Sequence, residues 1–333
     1  MKKLLDEFRK YVKVEVSTGK TKEVVMLYEQ VKDIKKKGFI ELMQEGPVMA
    51  PCVYDCVSAK IVENAGFKAM CLSGGETAAS LVGVPDIGLV TLDELVGVVE
   101  RISACTSIPM IVDIDTGFGN EMNLIRTIRR VVAAGAKAVH LEDQTFPKRC
   151  GHLRGKEVIS HEAYISKIRA AHYALEGTGC ALIARTDSYH ILGKEEAVSR
   201  CNDAIDAGAD ISFVEGAGSL ADIEEMGKTV KGYKMFAMAS AGASPKVTVD
   251  QLSKWGYSLM TMHFAMAGQI MGTQEYAKKC FEAMSDIPVT EDPRVDSSPI
   301  YLFELFGLHN WLQLGNRFNP EIKDATEWDK KDE

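Results

Sequence analysis

Within about forty residues of this 333-residue chain, three segments collect most of the side chains able to do chemistry. PMIVDIDTGFGN (109–120), AVHLEDQ (138–144) and FPKRCGHLRGK (146–156) supply Asp113, Asp115, Glu142, Asp143, His140, the basic pair Lys148 and Arg149, Cys150 and His152. Acids at alternate positions of an apolar strand, as Asp113 and Asp115 are, point to one face. Two such carboxylates repel unless a cation lies between them, and burying them without a metal or a base is costly. Hard oxygen donors suit Mg²⁺ or Mn²⁺. The stretch reads as a divalent-metal site beside a reactive loop. In that loop Lys148, Arg149, Gly151 and His152 flank Cys150, so its thiol is expected to have a lowered pKa and a populated thiolate.

Positioning these groups falls to an alternation that begins near residue 34. Eight apolar runs, VMAPCVYD, KAMCLSGG, PMIVDIDTGFG, AVHLEDQ, ALIARTDS, ISFVEGA, KMFAMAS and SLMTMHFA, are each followed by a helix-like run. Strands apolar enough to be buried on both faces, in eight successive strand–helix units, predict a (β/α)8 TIM barrel of the α/β class over 34–287. An open doubly wound sheet would need a glycine-rich phosphate turn where the chain has YDCVSAKI. Helix starts are marked as well: Thr91 and Glu94 form a capping-box pattern, and the serine of SAKIVENAG suits an N-cap. Residues 1–33 read as an N-terminal helical extension, with Leu4, Leu5, Phe8 and Tyr11 at helical spacing. Residues 288–333 read as a C-terminal helical extension.

Barrels gather function at the carboxyl ends of their strands. Those ends carry Tyr54 and Asp55, Ser73, Gly74 and Gly75, Asp113 and Asp115, His140 and Glu142, Arg185 and Asp187, Glu215, and Ser240. Each has a plainer use. The aspartate pair can cap backbone amides, His140 can be a satisfied core histidine, and Glu142 or, better, Asp143 can pair with the barrel's own bases. Arg185 can form an internal ion pair, yet an arginine fork at an acid-lined mouth calls for an anion, and a substrate carboxylate fits it through two hydrogen bonds. The Ser73-Gly74-Gly75 turn bares backbone amides of the kind that hold a carboxylate.

A net charge of −8 leaves no basic stripe for nucleic acid, and no apolar run reaches the length of a membrane span. Asp6 and Glu7 interrupt any signal-like region, which makes a cytoplasmic chain the expectation. Eight cysteines without CxxC spacing argue against a disulfide framework or a structural zinc site.

With LSGG, VDIDTGFG, HLEDQ, PKRCGH, GKEV, ARTD and FVEG in this order, residues 34–290 resemble the isocitrate lyase and phosphoenolpyruvate mutase superfamily. PKRCGH marks the branch of carbon–carbon lyases that resembles 2-methylisocitrate lyase and dimethylmalate lyase. The resemblance implies Mg²⁺ held directly by Asp115 and through water by Asp113, Glu142 and His140. It implies a 2-oxo acid gripped by Ser73, Gly74, Gly75, Gly151 and Arg185, Cys150 on a mobile lid, and a homotetramer that exchanges its last barrel helix. The small-molecule partner is then a 2-hydroxy di- or tricarboxylic acid, cleaved by retro-aldol or Claisen-type chemistry to pyruvate or glyoxylate and a second acid. Cys150 is the expected general acid, oriented by His152, Arg149 and Glu215, while the base stays open between Tyr54 and a hydroxide ion at the cation. Gly151 and Gly155 give the loop 146–156 freedom to close. Two departures bear on the substrate: Cys71 precedes LSGG where 2-methylisocitrate lyases carry tyrosine, and Met238 lies near the asparagine of tricarboxylate lyases. Both point to a more apolar outer pocket and a methyl-substituted malate. The alternatives are an oxaloacetate-cleaving or phosphonopyruvate-type enzyme of the same superfamily and, outside enzymes, a non-catalytic dicarboxylate-binding barrel.

Overall fold

In a computed structural model the described residues are 36–239 and 242–322. The expected N-terminal helices and Ser240 lie outside them. Eight strands form a closed barrel in chain order: β1 (Val48–Val53), β2 (Met70–Leu72), β3 (Met110–Asp113), β4 (Ala138–Glu142), β5 (Ala181–Thr186), β6 (Ile211–Val214), β7 (Tyr233–Met238) and β8 (Leu259–Met262). All pairings are parallel, and β8 closes onto β1 through Val48 opposite Leu259 and Pro51 opposite Met262. The (β/α)8 expectation holds for every strand, and the strands are buried on both faces apart from Met49 on β1, the half-buried Tyr233, Lys234 and Met238 of β7, and the last residues of β3, β6 and β8.

Alternation along the strands sorts side chains into two cores. Cys52, Cys71, Ile111, Ile183, Ile211, Phe213 and Met235 fill the barrel interior, and Phe39, Leu42 and Met43 of the helix Phe39–Glu45 join them. Their neighbours in sequence, among them Val53, Leu72, Val112, Val139 and Leu182, face the surrounding helices. Each fully buried Ile, Leu or Phe contributes roughly 1.5–3 kcal/mol by leaving water. This parity decides the site, since His140 and Glu142 on β4 and Arg185 on β5 share the inward phase of Ala138 and Ile183.

The helix after β1 starts earlier than the serine-cap reading implies. Asp55 caps Cys56–Asn64 by accepting from Ser58 N at 2.7 Å, and Ser58 occupies the third helical position and bonds back. Asp55 is thereby a helix cap. The Thr91–Glu94 box is present as read. After β8 the helix Ala265–Ala283 has no buried residue within the chain, with Met271 71% and Phe281 79% exposed. Beyond it the described residues form the helices Ile287–Thr290, Pro299–Glu304 and Leu308–Phe318.

Asp143, just past β4, joins the barrel to its helices. Its carboxylate accepts from Asp187 N at 2.8 Å, from Arg200 Nη1 at 3.0 Å and from Thr186 Oγ1 at 2.5 Å. Arg200, on the helix Lys194–Asp206, is itself 2% exposed. Removing one partner of a buried pair leaves the other charge uncompensated. Asp143→Ala is expected to lower the free energy of unfolding by roughly 3–5 kcal/mol, measured by urea denaturation; a loss below about 1 kcal/mol, the scale of exposed pairs, would contradict this role.

Candidate active site

The strand ends open into a cavity of about 480 Å³ whose wall includes Ser73, Gly75, Asp86, Asp113, His140, Cys150, His152, Arg185 and Glu215. Asp113 ends β3, but Asp115 is no longer strand: it lies in the following turn at φ 50°. Strand alternation is therefore not what aligns the two acids. The turn does so, with Asp115 N donating to Asp113 Oδ1 at 3.0 Å. Opposite them the chain passes so close at Gly74 that a Cβ there would lie 3.1 Å from Asp113 Oδ2 and 3.2 Å from Asp115 Oδ1. A Cβ on Gly75 would meet the Asp86 carboxylate at 3.1 Å. The two glycines thus admit three carboxylates to one place. Ser73 caps the short helix Gly74–Thr77, where the first-turn N–H groups have no intrahelical acceptor.

The cation nearest these acids is Lys148. Its Nζ lies 2.6 Å from Asp86 Oδ1 and 2.8 Å from Asp115 Oδ1, in a side chain only 3% exposed. Burial works against the ammonium, but Asp115, Glu142, Asp113 and Asp86 outweigh it and hold its pKa above the usual value. For Asp115 burial wins over Lys148, and its pKa is pushed up to about 6. Burial opposes charge on Asp113 too, yet His140, Lys148 and Arg185 hold it below the usual carboxylate value. Glu142 is pushed well up by burial, and neither Arg185 nor Lys148 compensates. His140 is driven down to about 4 by burial, so it is neutral, with Nδ1 3.6 Å from Asp113 Oδ1.

The substrate-fork expectation for Arg185 changes. Its Nε donates to Asp187 Oδ2 at 2.7 Å and Nη2 to Asp187 Oδ1 at 3.2 Å, so the two-pronged partner is the aspartate two residues on. Nη1, which does not bond Asp187, lies 3.4 Å from both Glu142 Oε2 and Glu215 Oε2. Lys156 adds a second cation to Asp187 at 2.7 Å.

Cys150 sits at the cavity with its thiol pKa raised, not lowered. Burial is the largest cause and Asp86 adds to it, whereas the nearby cations are held by acids. The expected thiolate gives way to a protonated thiol. Arg149 turns outward: its backbone is clamped by Gln144, its guanidinium donates to Arg154 O at 3.3 Å, and it is absent from the cavity wall. Tyr54 also leaves the wall, its hydroxyl donating to Gln269 while burial pushes its pKa up to about 12, which makes it a poor base. His152 accepts from Ala243 N at 3.1 Å through Nδ1, leaving Nε2 to face Glu215 Oε1 at 3.7 Å. Burial lowers its pKa, so it is neutral. The strand-end reading missed Asp86, which lies in the loop after β2; its only sequence signal is the turn GVPDIG.

A closed eight-stranded parallel barrel with an acid-lined mouth and a cysteine loop across it defines a class of enzymes, and comparison with known proteins makes it specific. The family model for phosphoenolpyruvate phosphomutase matches residues 39–280. The chain belongs to that family, within the PEP mutase/isocitrate lyase superfamily. Petal death protein of Dianthus caryophyllus is 34% identical over 305 residues, covering 90% of this chain and 94% of that one. The 2,3-dimethylmalate lyase of Eubacterium barkeri is 36% identical over 64% of this chain and 73% of its own length. Carboxyvinyl-carboxyphosphonate phosphorylmutase of Arabidopsis thaliana is 42% identical over 65% of each chain. A crystal structure of 2,3-dimethylmalate lyase superimposes with a TM-score of 0.78 at 31% identity, covering 89% of this chain and 95% of the other. Oxaloacetate acetylhydrolase superimposes with a TM-score of 0.79 at 30% identity over 84% and 95%. The chain is an enzyme of this superfamily, and its lyase relatives support the carbon–carbon lyase class.

Loop closure rests on Gly151, where a Cβ would stand 2.5 Å from both Arg185 Nη2 and Glu215 Cγ. Gly151→Ala is expected to keep the circular dichroism spectrum and lower kcat about 10²-fold, as displacement of a reacting group by an ångström does; unchanged kcat would show that the loop works without this contact.

Proposed function

We propose that the enzyme is a Mg²⁺-dependent lyase that cleaves a 2-hydroxy di- or tricarboxylic acid of the 2,3-dimethylmalate or 2-methylisocitrate type to pyruvate, or glyoxylate, and a second carboxylic acid. The observation that carries this reading is that Cys150 lines the same small cavity as Asp86 and Asp113, with Asp115 hydrogen-bonded directly behind Asp113. About 480 Å³ suits a ligand of this size. Cys71, Met235, Ala237 and Met238 make part of its wall apolar, which supports a methyl-bearing substrate over one with a third carboxylate.

The residues fit a divalent ion. Both carboxylate oxygens of Glu142, Asp115 Oδ1 and His140 Nε2 are buried without a hydrogen-bond partner among the described residues. Lys148 is close to that Asp115 oxygen, so the contact there is one of charge more than of a directed bond. Asp115 is the carboxylate that would meet the ion directly, with Asp86, Asp113, Glu142 and His140 reaching it through water. A structure of the related phosphonopyruvate hydrolase, 26% identical with a TM-score of 0.75, contains oxalate and Mg²⁺. Bound there, Mg²⁺ would lower the pKa of a chelated 2-hydroxyl and stabilise the 2-oxo product.

The chain's own groups do the rest. Arg185 Nη1 and the first-turn amides of Gly74 and Gly75 orient the 2-oxo acid half. Cleavage leaves an electron pair on carbon next to the second carboxylate, and the Cys150 S–H supplies its proton from the loop side. Glu215 and His152 fix the loop against which that thiol rests. Gly151, closed on Arg185, keeps bulk water from protonating the carbanion out of turn.

A substrate screen tests this reading: 2,3-dimethylmalate, 2-methylisocitrate and oxaloacetate, with dehydrogenase-coupled detection of pyruvate and glyoxylate, each with and without Mg²⁺. The expected outcome is Mg²⁺-dependent 2-oxo acid release from a 2-hydroxy acid, reduced on the order of 10² or more in Cys150→Ser with KM little changed. Release of oxalate and acetate from oxaloacetate, followed by chromatography, with no 2-oxo acid from either 2-hydroxy acid, would replace the lyase with a hydrolase, and full activity of Cys150→Ser would remove the thiol from the reaction.

A further inference from the structure

Three further side chains on the wall of this cavity are not used by the mechanism above. Cys52, at the end of β1, places Sγ 3.6 Å from His263 Nε2, and His263 Nδ1 lies 3.2 Å from Glu76 Oε1. All three line the same cavity as Cys150, Asp113 and Arg185. Glu76 is 9% exposed, and its second oxygen is buried without a hydrogen-bond partner among the described residues. The His263 side chain is 37% exposed.

We propose that His263, held by Glu76, is the base that takes the proton from the substrate's 2-hydroxyl. This rests on the lyase reading above and supplies the residue it lacks now that Tyr54 is bonded to Gln269.

The partners fix the imidazole in the form a base needs. A carboxylate only accepts, so Nδ1 carries the proton and donates it to Glu76. Nε2 is then the acceptor, and a thiol is the group facing it. The hydrogen bond with the adjacent Cys71, in register with Cys52 across the β1–β2 pair, and then burial keep the Cys52 thiol protonated, so it does not compete with Nε2 for a proton. When a hydroxyl arrives in the cavity it replaces a weak S–H donor with a stronger one. The charged and titratable groups facing His263 are Glu76 from the turn after β2, Cys52 from β1 with Cys71 beside it, and His152 from the loop opposite. Glu76 is the one that stabilises an imidazolium. Base and acid both line the one cavity, so a single bound substrate can meet His263 at its hydroxyl and Cys150 at its leaving carbon.

The step balances. Nε2 takes the hydroxyl proton, the O–H electron pair becomes the second bond of the new carbonyl, and the carbon–carbon pair passes to the leaving carbon, which takes the Cys150 proton. Transfer of one proton from the His263 imidazolium to the Cys150 thiolate, through solvent in the opened site, restores both groups.

The test uses the full-length enzyme, wild type, His263→Gln and Glu76→Gln, with 2,3-dimethylmalate or 2-methylisocitrate, whichever the wild type cleaves, and kcat and KM followed from pH 5 to 9. His263→Gln is expected to lower kcat by roughly 10²-fold or more with KM within about threefold, and to remove the limb on which activity falls with acid. Glu76→Gln, which removes the acceptor that fixes the Nδ1-protonated ring, is expected to lower kcat as well, with KM within about threefold. Independently of activity, nitrogen NMR of the metal-free enzyme at neutral pH is expected to show His263 protonated on Nδ1 and bare on Nε2. A His263→Gln enzyme that keeps both kcat and the acid limb, or an Nε2-protonated neutral ring, overturns the inference. A wild type that releases no 2-oxo acid from any 2-hydroxy acid overturns the lyase reading instead, and the ring tautomer still decides whether His263 is poised as a base.

Discussion

The arrangement depends on an imbalance of charge in a place with little water. Asp86, Asp113, Asp115, Glu142, Asp187 and Glu215 converge on the mouth of the barrel, and the fixed cations among them are Lys148, Lys156 and Arg185. Asp187 is the satisfied member: burial opposes its charge, but Arg185 and Lys156 together hold its pKa well below the usual range. The others share what is left. Asp115 and Glu142 are pushed up because burial there exceeds the attraction of Lys148 and Arg185. Such a group takes up a proton or a cation, and the family to which the chain belongs gives reason to expect the cation.

The fold serves that imbalance. A closed parallel barrel sends alternate side chains inward, so His140, Glu142 and Arg185 enter the mouth from neighbouring strands without any loop having to be ordered for them. Asp143, one residue after Glu142, takes the opposite phase and stitches β4 to Asp187 and Arg200 outside. One acid of the pair faces the chemistry and the other holds the frame. The glycines at 74 and 75 then let the β2 turn come within contact distance of the acids, and the loop of Cys150 closes where Gly151 leaves room for Arg185 and Glu215.

Much of this was legible in the sequence because it follows from period and polarity. Eight apolar runs, each followed by a helix, could hardly be anything but a barrel, and its carboxyl ends named Ser73, Gly75, Asp113, His140, Arg185 and Glu215, all now found on the cavity wall. What escaped depended on contacts between distant segments. Flanking bases suggested an ionised Cys150, but Lys148 faces Asp86 and Arg149 faces solvent, neither of which local sequence records. The Arg185 fork was claimed by Asp187, visible in ARTD as an acid two positions on, where the same strand-end phase brings it into reach. Asp115 looked like strand and is a turn, a change that TGFG could have signalled. The pairing of His263 with Glu76 spans 187 residues and has no local signature at all.

A divalent cation that completes the acid cluster would have to displace a proton from it. Calorimetric titration of Mg²⁺ into the metal-free enzyme at pH 5 and pH 8, in buffers of different ionisation enthalpy, measures this directly. Asp115 must lose its proton to take the ion, and with its pKa about 6 the proton competes at pH 5 and not at pH 8. The account predicts binding at least about tenfold tighter at pH 8, with proton release near pH 6. Equal affinity at both values, or no binding heat in either, would contradict it.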